Sequence, residues 1–206
     1  RLERWIPQSP RADRTWVLMM PGLGGDPNHF HWLARSLMQA GWPVLVLEHP
    51  GSDAAAVQGL LEGRQSFDGA AALRDRLADL AAVLEAQQRG DLNIPGTEVV
   101  LMGHSLGALT ALLASGAELV PGMAQRCEAA LAGLPLTNLS ELLQCELAAG
   151  RVLESKAMDP PPRAVVGLNS FGGLIWPHRA SRALPIPLLM VGGTLDLITP
   201  PLDEQL

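Results

Sequence analysis

Short apolar runs alternate with stretches of mixed polarity along most of the chain. Five of these runs contain no charged or amide side chain: residues 16–20, 43–47, 99–102, 164–168 and 187–191. Continuous apolar runs of this kind are typical of parallel strands that are covered on both faces. Because helical patterns separate the runs, we predict an α/β protein with a mostly parallel sheet between two layers of helices.

The stretches between the runs have the spacing of helices. In the longest of them Leu73, Leu77, Leu80 and Leu84 recur at intervals of four, three and four residues, which gives a helix one apolar face. Residues 106–114 are apolar almost all round, as in a helix buried against a sheet. N-cap residues and glycines set the predicted limits of the first two helices, Asp26 or Asn28 to Gly41 and Ser66 or Asp68 to Gly90.

The alternation is interrupted between residues 116 and 162. This segment contains two helical pieces rich in Ala and Leu, the second opened by a capping-box pattern from Asn138 to Glu141, and it ends in three consecutive prolines. We interpret the segment as an insertion after the helix at 106–114, in a single domain that spans residues 1–206. It is either a lid over a site or peripheral packing.

Composition and charge narrow the classes of function. The chain of 206 residues is 48% apolar and 17% charged, as expected of one globular domain. Its net charge of −6, with Lys156 as its single lysine, argues against nucleic acid as a partner. No apolar run approaches the roughly 20 residues of a membrane-spanning helix, so we predict no membrane span. Because the sequence begins at Arg1, we expect that an N-terminal segment has been removed, which leaves a cytoplasmic and an exported location both open.

Cys127 and Cys145 are the two cysteines of the chain. They could form a disulfide in an oxidising compartment or remain two buried thiols in a reducing one, and the sequence favours free thiols. Their surroundings in the sequence lack the further Cys or His ligands that a structural zinc site needs. We therefore predict no metal and no cofactor.

The strongest chemical signal is the pentapeptide Gly103-His104-Ser105-Leu106-Gly107. It lies between a predicted strand and a predicted helix, as the G-x-S-x-G motif does where a serine is held on a sharp turn. Flanking glycines suit such a turn because its backbone is strained and crowded. Ser105 is therefore the candidate nucleophile.

An activated serine also needs a base, a carboxylate that orients the base, and N–H donors for the oxyanion that develops. Asp196 follows the predicted strand at 187–191, at the same edge of the sheet as Ser105, and is the candidate acid. Leu106 directly follows the serine, and Leu23 lies in the glycine-rich loop after the first predicted strand, so their amides are the candidate oxyanion donors. An ordinary glycine turn and an Asp bonded to its own backbone are the structural alternatives.

Four segments together resemble the α/β-hydrolase superfamily: residues 20–25 (MPGLGG), 47–53 (LEHPGSD), 103–107 (GHSLG) and 193–200 (GTLDLITP). Within it, the chain is most similar to predicted dienelactone hydrolases and to esterases like platelet-activating-factor acetylhydrolase. The resemblance runs from Trp16 to Pro200. It implies a three-layer α/β fold with the nucleophile, acid and oxyanion donors given above. The chain has Pro21-Gly22 where the family commonly has His-Gly, a change that need not abolish a hole built from backbone amides.

The expected base is missing from these residues. The family order is serine, acid, histidine, yet no histidine follows Asp196. Since a helix and a strand normally separate the two, the resemblance implies that the histidine, with the last strand and helix of the fold, lies beyond Leu206. The one serious substitute is His178, in a loop near Trp176. His104, Trp176 and His178 are also candidates for the substrate pocket, although His104 is otherwise expected to be structural.

The other histidines receive no catalytic role. His49 ends a predicted strand, and we expect it to be buried and hydrogen-bonded. His29 and His31 lie two residues apart on a predicted helix, so their side chains diverge and do not form a metal-binding pair.

The leading hypothesis is a serine hydrolase that cleaves a small-molecule carboxylic ester through an acyl-enzyme. Two alternatives stay open: a protein of the hydrolase fold that binds without catalysis, and an acyltransferase that uses the same serine. The sequence predicts neither the identity of the substrate nor the oligomeric state.

Overall fold

The computed structural model describes residues 1–132, 139–148, 157–177 and 184–205. In these ranges the centre is a sheet of six strands, β1 (Leu2–Trp5), β2 (Thr15–Met20), β3 (Val44–Leu47), β4 (Glu98–His104), β5 (Ala164–Leu168) and β6 (Leu188–Val191). The strand order is β1-β3-β2-β4-β5-β6. β1 pairs with β3 antiparallel, and every other pair is parallel. The predicted mostly parallel sheet is confirmed.

Helices flank this sheet. In the described ranges they are α1 (His31–Gln39), which follows a 3₁₀ helix (Pro27–Phe30), and then α2 (Ala54–Leu61), α3 (Gly69–Gln88), α4 (Leu106–Ala114), α5 (Met123–Ala132), α6 (Leu139–Ala148) and α7 (Pro201–Glu204). Asp26 begins the 3₁₀ helix and Asp68 begins α3, each by accepting a backbone N–H two or three residues ahead. None of the helices described is both long enough and apolar enough to cross a membrane.

The two faces of the sheet form separate apolar clusters. Val17 and Met19 pack with Ala34 of α1 on one face. Leu18 packs with Leu80 of α3 and with α4 on the other face. Successive side chains of a strand point to opposite faces, so neighbours in β2 belong to different clusters. The predicted helices on both faces are therefore confirmed.

Three elements were not predicted from the sequence. β1 is a short strand at the edge of the sheet, and its alternation of exposed and half-buried residues is too brief to stand out. α2 lies between glycines, with its N-terminus capped by Asp53, which accepts a hydrogen bond from the Ala56 amide at 2.9 Å. α7 is a single turn that follows Pro200.

The prediction of two free thiols is wrong. Cys127 on α5 and Cys145 on α6 form a disulfide, with their Cα atoms 5.6 Å apart. The two helices pack against each other. The pairing thus depends on the packing of the insertion and not on the spacing of the cysteines in the sequence.

Helix α6 of the insertion packs on the body of the domain. A Cβ atom on Gly69, at the start of α3, would lie only 2.8 Å from the Glu146 carbonyl carbon, so α6 approaches α3 closely there. Leu147 is fully buried in a third cluster, whose other members are Leu73, Leu106, Leu109, Leu113, Phe171 and Ile175. Leu147 of α6 therefore packs against α4, the helix that follows Ser105. Asn138, the predicted cap of this helix, lies outside the described residues.

Polar contacts hold the same helix to the loop after β5. The Glu204 carboxylate accepts hydrogen bonds from Ser140 at 2.6 Å and from Gln144 at 3.1 Å, both on α6. It also accepts the Gly172 and Gly173 amides, each at 2.9 Å. One carboxylate on α7 thus joins the insertion to the loop beside the candidate acid.

Candidate active site

Ser105 lies on the turn between β4 and α4. Its backbone has φ 51° and ψ −118°, a conformation that non-glycine residues rarely adopt, and it is the N-cap residue of α4. The Ser105 amide donates a hydrogen bond to the Leu168 carbonyl of β5 at 2.9 Å. This is the geometry of a nucleophile elbow, in which a strained strand-to-helix turn exposes the serine hydroxyl at the edge of the sheet.

The glycines around Ser105 are required by close backbone contacts. A Cβ atom on Gly103 would lie 2.1 Å from the Gly107 carbonyl carbon, and one on Gly107 would lie 2.0 Å from the Met20 carbonyl oxygen. Real Cβ atoms essentially never come so close to other heavy atoms. A residue larger than glycine at either position would therefore force the backbone of the elbow to shift.

The glycine-rich loop after β2 lies against the elbow. A Cβ atom on Gly22 would lie 3.0 Å from the Ser105 Cβ and 3.1 Å from the His104 carbonyl oxygen. The loop is held by hydrogen bonds from the Gly24 amide to the Ser52 carbonyl at 2.8 Å and from the Gly25 amide to the Gly22 carbonyl at 3.1 Å. Gly22 thus brings the backbone before Leu23 to the side of the candidate nucleophile.

The amides of Leu23 and Leu106 are the two candidate oxyanion donors. Leu106 is the first residue of α4, where helix N–H groups have no partner within the helix. Within the described part of the chain, neither amide donates a hydrogen bond. The two amides thus remain the candidate donors that the sequence predicts.

Asp196 lies in the loop after β6 and is held by four hydrogen bonds. Its Oδ1 accepts the Ile198 and Thr199 amides, each at 2.9 Å. Its Oδ2 accepts the Thr199 hydroxyl at 2.7 Å and the Asn169 side-chain amide. Burial raises the pKa of the Asp196 carboxyl, but the hydrogen bonds from Thr199, Asn169 and Ile198 outweigh burial and hold this pKa below its usual range. The group is therefore a fixed carboxylate at neutral pH.

The path from Asp196 to Ser105 crosses three adjacent strand ends. Ser105 follows β4, Asn169 follows β5 and Asp196 follows β6, and these strands pair in parallel. Asn169 has φ 45°, and its amide donates to the Val191 carbonyl at 2.7 Å while its side chain donates to Asp196. One strand therefore separates the candidate nucleophile from the candidate acid. Asn169 and Thr199 were not predicted as part of the site. Asn169 directly follows β5, and Thr199 lies in the loop after β6, so the position of each in the sequence could have indicated it.

His104 lies beneath the glycine-rich loop. Its ring is 5.9 Å from the Phe30 ring, and its Nδ1 would lie 3.2 Å from a Cβ atom on Gly22. Burial lowers the pKa of the His104 imidazole, and the negative charge of Asp196 acts in the opposite direction. Among the described histidines, none donates to or accepts from Ser105 or Asp196.

Trp176 and His178 are the other two candidates for the substrate pocket. Trp176 is half-buried, and its indole N–H donates to the Glu118 carbonyl at 2.7 Å, which ties the loop after β5 to the start of the insertion. His178 lies outside the described residues.

A buried polar network lies behind the glycine-rich loop. Arg76 on α3 donates to the Ser52 hydroxyl at 2.9 Å, to the Thr110 hydroxyl at 3.1 Å and to the Pro21 carbonyl. Burial lowers the pKa of this guanidinium to about 9, with Asp79 opposing the change, so Arg76 is a cation at neutral pH. His49 donates from Nδ1 to Asp79 at 3.0 Å, in line with its expected buried and hydrogen-bonded state.

Arg76 was also not predicted as part of the site. A signal was present, since Arg76 shares the buried face of α3 with Leu73, Leu80 and Val83, all at helical spacing from it. A charged residue on such a face needs partners within the core. In the described ranges, no group of three or more His, Cys, Asp or Glu side chains is placed to hold a metal ion.

Comparisons with known proteins give a match in structure and none in sequence. No protein-family model matches the chain, and no curated protein does. Among solved structures, TT1662 from Thermus thermophilus has a TM-score of 0.54 at 18% identity, over 99% of this chain and 75% of that protein. Esterase PE8 has a TM-score of 0.53 at 16% identity, over 98% of this chain and 78% of the esterase.

A third structure is described as a member of the α/β serine hydrolases without a lid. It is XC6422 from Xanthomonas campestris, with a TM-score of 0.50 at 18% identity, over 98% of this chain and 69% of that protein. At such identities a match shows the fold and not the substrate, so the finer similarity to dienelactone hydrolases stays a prediction. The strand order, the serine elbow and these matches agree that the chain has the α/β-hydrolase fold.

Proposed function

We propose that the protein is a serine hydrolase that cleaves a carboxylic ester of a small molecule. Ser105 Oγ attacks the ester carbonyl, and the tetrahedral oxyanion accepts hydrogen bonds from the Leu23 and Leu106 amides. Expulsion of the alcohol leaves an acyl-enzyme, which water then hydrolyses to release the acid. Asp196 orients the base and stabilises its charged form.

The observation that carries this proposal is the conformation of Ser105. A backbone at φ 51° and ψ −118° is costly for a serine, by about 1–3 kcal/mol, and the glycines around it leave no space for larger residues. A packing role does not need such a turn. A role in catalysis accounts for it, because an elbow of this kind presents a serine hydroxyl at the edge of the sheet.

The base is proposed to be a histidine whose imidazole lies, in space, between the side chains of Ser105 and Asp196. The carboxyl ends of β4 and β6 are two strand spacings apart, about 10 Å. This leaves room for an imidazole between the Ser105 and Asp196 side chains. The resemblance implies a histidine that follows the acid in the sequence. Such a residue would accept the Ser105 proton at one ring nitrogen and donate to Asp196 from the other.

The test is hydrolysis of short-chain p-nitrophenyl esters by the full-length protein. We expect Ser105→Ala to lower kcat at least 10³-fold, because the covalent step is lost. Ser36→Ala on α1 is the matched control, since that hydroxyl is exposed and donates only to the Trp32 carbonyl of its own helix. Labelling by a fluorophosphonate should add its mass to the peptide that contains Ser105. Equal rates for the unchanged protein and Ser105→Ala would show that Ser105 is not the nucleophile.

Binding without catalysis is the second candidate, favoured by the fact that no described histidine hydrogen-bonds to Asp196 or Ser105. A protein of this kind would hydrolyse no ester and would not be labelled by the fluorophosphonate. Acyl transfer would retain the labelling. It would differ from hydrolysis in that an added alcohol or thiol becomes acylated in preference to water.

A further inference from the structure

Arg76 is a buried cation that makes no hydrogen bond to a carboxylate of the described residues. Arg76 is 1% exposed. Its three described hydrogen-bond acceptors are all neutral: the Pro21 carbonyl, the Ser52 hydroxyl and the Thr110 hydroxyl. Asp79, one turn along α3, acts on it only through space and is itself paired with His49. Burying a charge on neutral partners is costly, and an apolar residue of similar volume would often fill such a place at least as well.

The acceptors of Arg76 are connected, by a short stretch of chain or by one hydrogen bond, to the backbone around the candidate oxyanion donors. Pro21 precedes Gly22 and Leu23 in the glycine-rich loop. The Ser52 carbonyl accepts the Gly24 amide at 2.8 Å, which fixes the other side of Leu23. The guanidinium therefore holds the loop that carries the first donor on both sides of that residue.

The third acceptor connects Arg76 to the second donor. Thr110 lies on α4, and its hydroxyl accepts from Arg76 Nε at 3.1 Å while donating to the Leu106 carbonyl at 2.8 Å. Leu106 supplies the second candidate amide. A single rigid side chain thus links the glycine-rich loop to the first turn of the nucleophile helix, from behind the site.

We propose that Arg76 is the positioning residue of the oxyanion hole: it fixes the Leu23 and Leu106 amides toward one point beside Ser105, and its buried charge favours the negative charge that develops there. The planar guanidinium suits this role because its donors point in fixed directions toward three separate acceptors. The assignment rests on the proposed function of Ser105. It adds a residue that touches neither substrate nor nucleophile.

The test compares Arg76→Lys and Arg76→Met in the full-length protein. Lysine keeps the charge but cannot reach three acceptors with the same geometry, and methionine keeps most of the volume without the charge. Arg74→Met is the matched control, because Arg74 is exposed on the same helix. The kcat values are expressed per site labelled by a fluorophosphonate, so that only folded protein with a reactive serine is counted.

We expect Arg76→Met to lower kcat about 10²-fold with KM within about threefold, comparable to the loss of one oxyanion donor. Arg76→Lys should give an intermediate kcat, and Arg74→Met should leave kcat unchanged. A residue that acts only on stability would lower the melting temperature without changing kcat per labelled site. Values of kcat within threefold of the unchanged protein in both Arg76 variants would overturn the proposal.

Hydrogen exchange gives a second readout that does not depend on catalysis. In Arg76→Lys, the hydrogen-bonded amides of Gly24 and Gly25 should exchange at least tenfold faster, while the strands of the sheet keep their protection. Unchanged exchange in this loop would overturn the positioning role even if no ester is hydrolysed. If Ser105→Ala and the unchanged protein have equal rates, the proposed function fails, and the exchange experiment still decides whether Arg76 holds the loop.

Discussion

At the scale of single residues, the candidate site consists of groups whose polar atoms are fixed before any substrate binds. Asp196 accepts four hydrogen bonds from three residues, and Ser105 is held in one conformation by its turn. Preorganised groups cost no reorganisation during the reaction, which is the main source of electrostatic catalysis. Under the proposed function, Asp196 therefore orients the base without rearrangement of its loop.

The first prediction concerns Asp196. Asp196→Asn should lower kcat for ester hydrolysis by about 10³–10⁴-fold, because an amide neither favours the required tautomer of the base nor stabilises its charged form. Steady-state kinetics on the full-length protein measure this effect. Asp203→Asn is the control, since Asp203 lies exposed on α7, and it should leave kcat within about twofold. A similar small effect in both variants would exclude Asp196 as the acid.

How far the site could be predicted from the sequence differs from residue to residue. The Ser105 turn could be predicted because the glycines that it requires stand next to the serine in the sequence, within residues 103–107. The Asn169 partner of Asp196 comes from a different strand, 27 positions away, and depends on the parallel register of β5 and β6. The link from Arg76 to Pro21 spans 55 positions and depends on how α3 packs against the loop. Such contacts are set by the tertiary fold and not by local pattern.

At the scale of elements, α4 lies closely against β2. The Cβ distance of 2.0 Å from position 107 to the Met20 carbonyl oxygen leaves no space for a methyl group. Position 107 lies two residues after Ser105, so the packing of this helix and the position of Ser105 are set together. Any residue larger than glycine must push the start of α4 away from the sheet.

The second prediction follows from this contact. Gly107→Ala should lower the free energy of unfolding by about 2–3 kcal/mol, because the added methyl group overpacks a rigid backbone. Urea denaturation followed by circular dichroism measures it. Gly59→Ala is the matched control: it lies within α2, and its Cβ would meet only the flexible Gln65 side chain at 3.0 Å. That variant should stay within about 1 kcal/mol of the unchanged protein, and an equal loss in both would contradict the packing account.

The elements themselves could be predicted where apolar runs are continuous. All five predicted strands are present, because each is a continuous apolar run. β2 and β3 are buried along their whole length, whereas β6 lies at the edge of the described sheet with Leu189 and Val191 exposed. β1 and α7 have only four residues each, too few for a hydrophobic periodicity to be recognised in the sequence. The disulfide between α5 and α6 depends on how two helices of the insertion meet, which the sequence pattern does not specify.

At the scale of the whole molecule, one buried histidine makes stability depend on pH. His49 is 2% exposed, its Nδ1 donates to Asp79, and its Nε2 has no partner in the described residues. Burial lowers the pKa of His49 from 6.5 to about 2, and the nearby Arg76 cation acts in the same direction. The folded protein therefore keeps this imidazole neutral across the range in which the unfolded chain binds a proton.

The third prediction follows from the sign of this change. Below pH 6.5 the unfolded chain binds a proton at His49 that the folded protein does not, so stability should fall as the pH decreases. Between pH 6.5 and 5 the loss from this group should be about 1–2 kcal/mol. Urea denaturation at several pH values should show a shallower fall for His49→Gln than for the unchanged protein. His29→Gln, at an exposed position, should follow the unchanged protein, and an identical slope in all three would contradict the assignment.

The bonds of Glu204 limit how the protein can be engineered. Its carboxylate lies eight positions after Asp196 and bonds both to α6 and to the loop that follows Asn169. The insertion is consequently not an exchangeable module. Replacing the insertion by a segment of another protein would break those bonds and disturb the loop that carries Asp196 at the same time. Variants that change the insertion should therefore change residues 196–205 with it.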